Sequence, residues 1–185
     1  MQKLRQYIFD YLRCKEPERL VRFPHMDKPI KLMVIYESDL LERNDEIKAI
    51  RQDLLKRQID VTMWGYAPKK EISSPILLQS RVIGLTDFNW LGKLKSEVKD
   101  ELRAVHYDLL IDLTTNPVLP LRYLALYTDA DFKVGLNLGE GLHDMLISMP
   151  VVAPAEGETD EEPHVDVTRL YHEIMKYLTT IKSND

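Results

Sequence analysis

The sequence predicts a three-layer, Rossmann-like α/β fold with a mostly parallel sheet, an antiparallel edge strand and an extra amino-terminal helix. Three observations predict it. The runs IKLMVIY (30–36) and DLLIDL (108–113) are apolar on both faces, as strands covered by helices on both sides must be. Segments with helical periodicity alternate with these and further β-rich runs, the order that builds βαβ units. Asn116 followed by Pro117 then opens an almost wholly apolar segment, with proline where its missing N–H costs nothing.

Each element follows in turn. Leu4, Tyr7, Ile8, Tyr11 and Leu12 recur at helical spacing over Gln2–Cys14. KEPERLVRFPHMDKP carries three prolines and no period, so residues 1–29 read as a helix and a connector. After the strand at Ile30–Tyr36, a helix is expected over Ser38–Arg57. Leu40, Ile47, Ile50 and Leu54 form its inner stripe, and Asp39–Arg43 and Asp53–Arg57 are i,i+4 pairs on its outside. DVTMWGY (60–66) is a second strand, parallel to the first through a right-handed crossover. A short strand is expected at Arg81–Leu85, a helix at Lys95–Val105, a strand at Asp108–Leu113 and a buried helix to Tyr127. FKVGL (132–136) is the next strand. The connection after it, NLGEG, is short for a crossover, so HDMLISM (143–149) is expected to return antiparallel at the edge. Residues 150–165 are Pro-rich and acidic, the composition of a mobile loop. Val167, Leu170, Tyr171, Ile174, Leu178 and Ile181 line the buried stripe of a closing helix over Asp166–Ile181.

A chain of 185 residues and 21.6 kDa suits one domain spanning 1–185. No apolar run approaches the ~20 residues a membrane helix needs, and charges interrupt the first twenty positions too often for a secretory signal. The one cysteine, Cys14, permits no internal disulfide, and the expected location is cytoplasmic. The net charge is −5, with eight Lys/Arg against four Asp/Glu over 1–31 and three against ten over 138–185. An acidic whole argues against a nucleic-acid backbone as partner, and the basic start most simply folds back on the acidic end.

In open α/β sheets ligands bind beyond the carboxyl ends of the strands. That rule singles out Glu37 and Ser38, Gly65 and Tyr66, Asp87, Asn89 and Trp90, Asp112, Thr114, Thr115 and Asn116, and Gly135 and Asn137. Each has a structural reading beside the functional one. Asn116 caps its own helix, Ser38 caps the helix after the first strand, and Glu37 is a solvated rim residue. Thr114 and Thr115 satisfy turn amides. Asp112, between Ile111 and Leu113, must be paired, hydrogen-bonded or at the rim. TDFNWLG holds two aromatics that stack a flat ligand or cover the core.

The first strand-to-helix turn, IYESDLL, has neither GxGxxG nor GxxxxGK[ST], so its backbone cannot approach a phosphate closely. No GxSxG elbow is present. The five histidines have no metal-ligand spacing, Cys14 has no activating partner in the pattern, and no catalytic constellation is visible. Neither a cofactor nor a metal is expected.

YDLLIDLT, an apolar helix and ADFKVGL (107–136) together resemble a segment of the amino-terminal half of heptosyltransferase-type GT-B glycosyltransferases. In that family a strand ending in an acid leads through a helix to a strand ending in Val-Gly. The resemblance implies a Rossmann-like half, but the family's glycine-bearing first loop is replaced by IYESDLL and these 185 residues are expected to supply one domain only, so no catalytic residue carries over. The whole chain, including DFNW and DFKVG, is similar to an uncharacterised bacterial single-domain family catalogued as a domain of unknown function, which implies the fold and no activity.

The expected function is therefore a cytoplasmic, non-catalytic α/β domain that binds a small polar ligand, nucleotide- or sugar-like. Asp112, Thr114, Thr115 and Asn116 supply hydrogen bonds, with Asp87, Asn89 and Trp90 beside them. The alternative is a protein–protein interaction module, a homodimer formed through the amino-terminal helix or the edge HDMLISMP. A second alternative is half of a glycosyltransferase-like enzyme completed by another chain. Neither nucleic acid nor membrane is an expected partner.

Overall fold

The computed structural model of the chain describes residues 2–38, 43–68, 80–139, 141–150 and 165–181. Helix α1 (Gln2–Lys15) precedes β1 (Lys31–Glu37), α2 (Arg43–Lys56) and β2 (Asp60–Tyr66). Strand β3 (Ser80–Ile83) runs into a 3-10 turn at Leu85–Asp87, followed by α3 (Ser96–Arg103), β4 (His106–Asp112) and α4 (Leu119–Tyr127). Next come β5 (Asp129–Leu136), β6 (Met145–Ile147) and α5 (Val167–Thr180). The acidic stretch and the Asp39–Arg43 pair fall largely outside the described residues.

The six strands form one sheet in the order β3-β2-β1-β4-β5-β6, and every neighbouring pair is parallel. Alternation along the strands explains the apolar runs. Leu32, Val34 and Tyr36 pack on one face with Ile47, Ile50 and Leu54 of α2 and Leu170, Ile174 and Leu178 of α5. Met33 and Ile35 face the other way, into Phe9 of α1, Val98 and Leu102 of α3, and Leu121, Tyr123 and Leu124 of α4. The chain leaves β1 toward β2 in one direction and β4 toward β5 in the other. Crossovers of one hand therefore put α2 and α4 on opposite faces, giving three layers. Tyr171 donates to Asp53 at 2.5 Å and Arg57 to the same carboxyl oxygen at 2.7 Å, fastening α2 to α5.

Two expectations are corrected here. The edge strand is parallel, with Val134, Gly135 and Leu136 opposite Met145, Leu146 and Ile147. A short connection suffices because this strand is only three residues long and pairs with the end of β5, so the chain returns only about 10 Å. Asp144 holds that return: its N–H donates to the Lys133 carbonyl and its carboxylate accepts the Lys133 N–H, both at 2.8 Å. Second, Asn116 is not a helix cap. Val118 occupies the cap position without a side-chain bond and Pro120 sits in the first turn. Ser38 buries its hydroxyl without any hydrogen-bond partner among the described residues, and the helix start it was expected to cap lies outside them.

Candidate functional site

The direction of winding reverses between β1 and β4, so the carboxyl ends of these neighbouring strands lie at the topological switch point, where open α/β sheets hold their ligands. Glu37 and Ser38 leave β1 on one side, and Leu113–Asn116 leave β4 on the other. The β1 side is fixed by the Ser38 N–H, which donates to the Tyr66 carbonyl at 2.8 Å. The β4 side is fixed by the Leu113 N–H donating to the Ile35 carbonyl at 2.9 Å.

Asp112 is 6% exposed and fully engaged. One carboxylate oxygen accepts the Thr114 N–H at 2.9 Å, an Asx turn that starts the loop. The other lies 2.9 Å from Nε2 of His143, whose side chain is also buried. With a carboxylate as acceptor, Nε2 carries the proton, and the imidazole is fixed in orientation. Gly135 lies opposite Asp112 in the β4–β5 register. A Cβ built on Gly135 would stand 2.8 Å from His143 Nε2 and 3.0 Å from Asp112 Cβ, so the glycine is required by space. Gly139 and Gly141, both with positive φ, turn the segment that brings His143 back over the rim.

Glu37 is not a solvated rim residue. Its Oε1 accepts the N–H groups of Thr115 and Asn116, each at 3.1 Å, and lies 3.5 Å from the Thr115 hydroxyl. This contact explains the late start of α4. With both amides turned toward β1, residues 115–116 cannot open a helix, and the Asn116 carbonyl instead accepts the Val118 N–H at 2.7 Å. Thr114 and Ser38 differ from their neighbours: both are 3% exposed, and neither hydroxyl has a hydrogen-bond partner among the described residues.

The structure thus brings Asp112, Thr114, Thr115 and Asn116 together and adds Glu37 and His143. Asp87, Asn89 and Trp90 stand apart, after the edge strand β3, with β2 and β1 between them and β4. Asp87 accepts the Gly84 N–H at 2.7 Å and Asn89 the N–H groups of Leu91 and Lys93 at 3.0 and 3.1 Å, so both build their own loop. Trp90 is 77% exposed. His143 escaped sequence reasoning because it lies 31 positions from Asp112. The available signal was Gly135, a glycine inside a central strand, which marks close approach.

Chemically, the switch point holds two buried hydroxyls and a fixed imidazole–carboxylate pair. Among the described residues no group of three or more His, Cys, Asp or Glu is placed to hold a metal ion, and no helix is long and apolar enough to cross a membrane. Fold and geometry together define a doubly wound α/β domain with a polar, internally hydrogen-bonded cluster at its switch point. The chain matches the family of unknown function DUF6913 over residues 3–157 and belongs to that family. No curated protein matches it, so the likeness of residues 107–136 to glycosyltransferase halves gains nothing further.

Proposed function

We propose that the domain binds a small polar ligand in the crevice between the carboxyl ends of β1 and β4, without chemistry of its own. The observation that carries this reading is the pair of buried hydroxyls, Ser38 and Thr114, which have no hydrogen-bond partner among the described residues and stand at the two strand ends. A buried hydroxyl without a hydrogen bond costs about 1–3 kcal/mol, and a ligand that pairs with it recovers that cost. Asp112, His143 and Glu37 hold the loop in place, so they act as a rigid floor rather than as reacting groups. Thr115 and Asn116 shape the wall. The test is a thermal-shift titration of wild type against Thr114→Val and Asp112→Ala. Stabilisation by one chemical class, lost in both variants, supports the site; unchanged affinity in the variants removes it.

A second reading is favoured by the β6 edge of the sheet. Strand β6 ends the sheet, and its Leu146 is 44% exposed beside Tyr177 of α5, also 44% exposed. Between them lies a groove of about 440 Å³, lined also by Met145, Met149, Arg169 and Glu173. A second copy of the chain fits it, because an exposed edge pairs with an edge. Light scattering that shows a monomer over a wide concentration range removes this reading.

A further inference from the structure

The ligand class follows from which polar groups of the crevice are already spent, and it rests on the binding reading above. We infer that the crevice takes a neutral, hydroxyl-bearing ligand of the sugar or polyol class, because Glu37 occupies as an internal anion the amide cradle that a phosphate would use.

Three successive backbone N–H groups follow β4 at the switch point, the place where doubly wound sheets present amides to anionic ligands. Here all three donate to carboxylates of the chain itself. Thr114 donates to Asp112 at 2.9 Å, and Thr115 and Asn116 converge on the single Oε1 of Glu37 at 3.1 Å. Two neighbouring amides aimed at one oxygen form an anion-binding concavity, and Glu37 fills it. On the facing strand the Ser38 N–H is spent on the Tyr66 carbonyl. A phosphate entering this space would have to expel Glu37 and then lie beside the Asp112 and Glu37 carboxylates. Among the described residues the groups left to a ligand are the hydroxyls of Ser38 and Thr114 and the exposed side-chain amide of Asn116, neutral donors and acceptors that match the hydroxyls of a polyol.

The test uses the ¹⁵N-labelled full chain, as wild type and as Glu37→Ala, titrated with inorganic phosphate, glucose and glucose 1-phosphate while amide signals are followed. In the wild type, phosphate is expected to leave the Thr115 and Asn116 signals in place, and glucose 1-phosphate to bind no more tightly than glucose. In Glu37→Ala, phosphate is expected to move those two signals saturably, with affinity at least about tenfold above wild type. Tighter binding of glucose 1-phosphate than glucose at wild-type Thr115 and Asn116 would overturn the inference and leave the binding reading standing. Silence of wild type toward all three compounds counts against the binding reading for this class. The cradle is then judged by the variant alone, where no gain of phosphate binding overturns it. If Glu37→Ala does not fold, Glu37→Gln keeps the size and an acceptor oxygen without the charge. A phosphate-dependent rise in its Tm, absent in wild type, supports the internal anion; no rise rejects it.

Discussion

Gly135→Ala isolates the contact on which the crevice floor depends. The added methyl would meet His143 Nε2 at 2.8 Å and Asp112 Cβ at 3.0 Å, both well inside ordinary contact. Neither neighbour is a free side-chain end, because the imidazole is held 2.9 Å from the Asp112 carboxylate and both groups are buried. To seat the methyl the ring must shift and the bond must lengthen or break. Overpacking of this kind costs about 1–3 kcal/mol. A hydrogen bond to a charged group contributes about 1.5–3 kcal/mol, so a combined loss of about 3 kcal/mol is expected. For a chain of this size that lowers Tm by roughly 6–12 °C. Urea denaturation of wild type, Gly135→Ala, His143→Ala and the double variant closes a cycle. The double variant should be less destabilised than the sum of the singles by about 1 kcal/mol or more, since removing the ring makes room for the methyl. Strict additivity, or a Gly135→Ala variant within about 0.5 kcal/mol of wild type, would refute the packing of Asp112, Gly135 and His143 described above.

Thr114→Val replaces an unpartnered buried hydroxyl by a methyl of the same shape and should raise the stability of the ligand-free protein by about 1 kcal/mol, read by urea denaturation, while weakening ligand binding. Lys133 is 4% exposed and donates to the Ala125 carbonyl at 2.6 Å; burial first, and the nearby Arg19 charge second, push its ammonium down to about 8 from 10.5. Between those two values the unfolded chain keeps the proton that the folded chain has lost, so stability should rise with pH from about 8 to 10, by up to about 3 kcal/mol. Above pH 10 the tyrosines reverse the trend, because burial pushes groups such as Tyr123 up to about 12 in the folded state. Lys133→Met should abolish the rise, which denaturation at pH 7.5 and 9.5 measures. Tyr171→Phe removes the donor to the half-exposed Asp53 carboxylate. Desolvation pushes that carboxyl up, but the hydrogen bonds from Tyr171 and Arg57 outweigh it and hold the group below its usual range. A loss of about 1 kcal/mol is expected from equilibrium unfolding.

The layers of this fold are legible in the sequence because burial on two faces leaves a mark that does not depend on partners. IKLMVIY and DLLIDL each supply residues to both cores, and the Ile47, Ile50 and Leu54 stripe packs where helical periodicity puts it. The direction of β6 is not legible, since it depends on how far eight residues return along β5 and on Asp144 bonding to Lys133 across the gap. Asn116 misleads for a related reason: the contact from Glu37, on another strand, turns the 115–116 amides away and delays the helix to Leu119. Asp112 was recognisable as a carboxylate in need of partners, whereas His143 and Glu37 look like surface residues until the strand order brings them to the crevice. Asp87, Asn89 and Trp90 share a strand-end position with Asp112 but belong to the far edge, a separation that only the order β3-β2-β1-β4 reveals.

The central claim is that the crevice between β1 and β4 binds a polar ligand through the hydroxyls it leaves unpaired. The most direct measurement is a thermal-shift panel of neutral sugars, polyols, sugar phosphates and nucleotides on wild type and Thr114→Val. A ligand at one hundred times its dissociation constant adds about 2.7 kcal/mol. For this chain length that is a shift of roughly 5–10 °C. Such a shift is expected with a neutral hydroxyl-bearing compound in the wild type, and its loss in Thr114→Val. A panel without any shift, or a shift that survives unchanged in Thr114→Val, would contradict it.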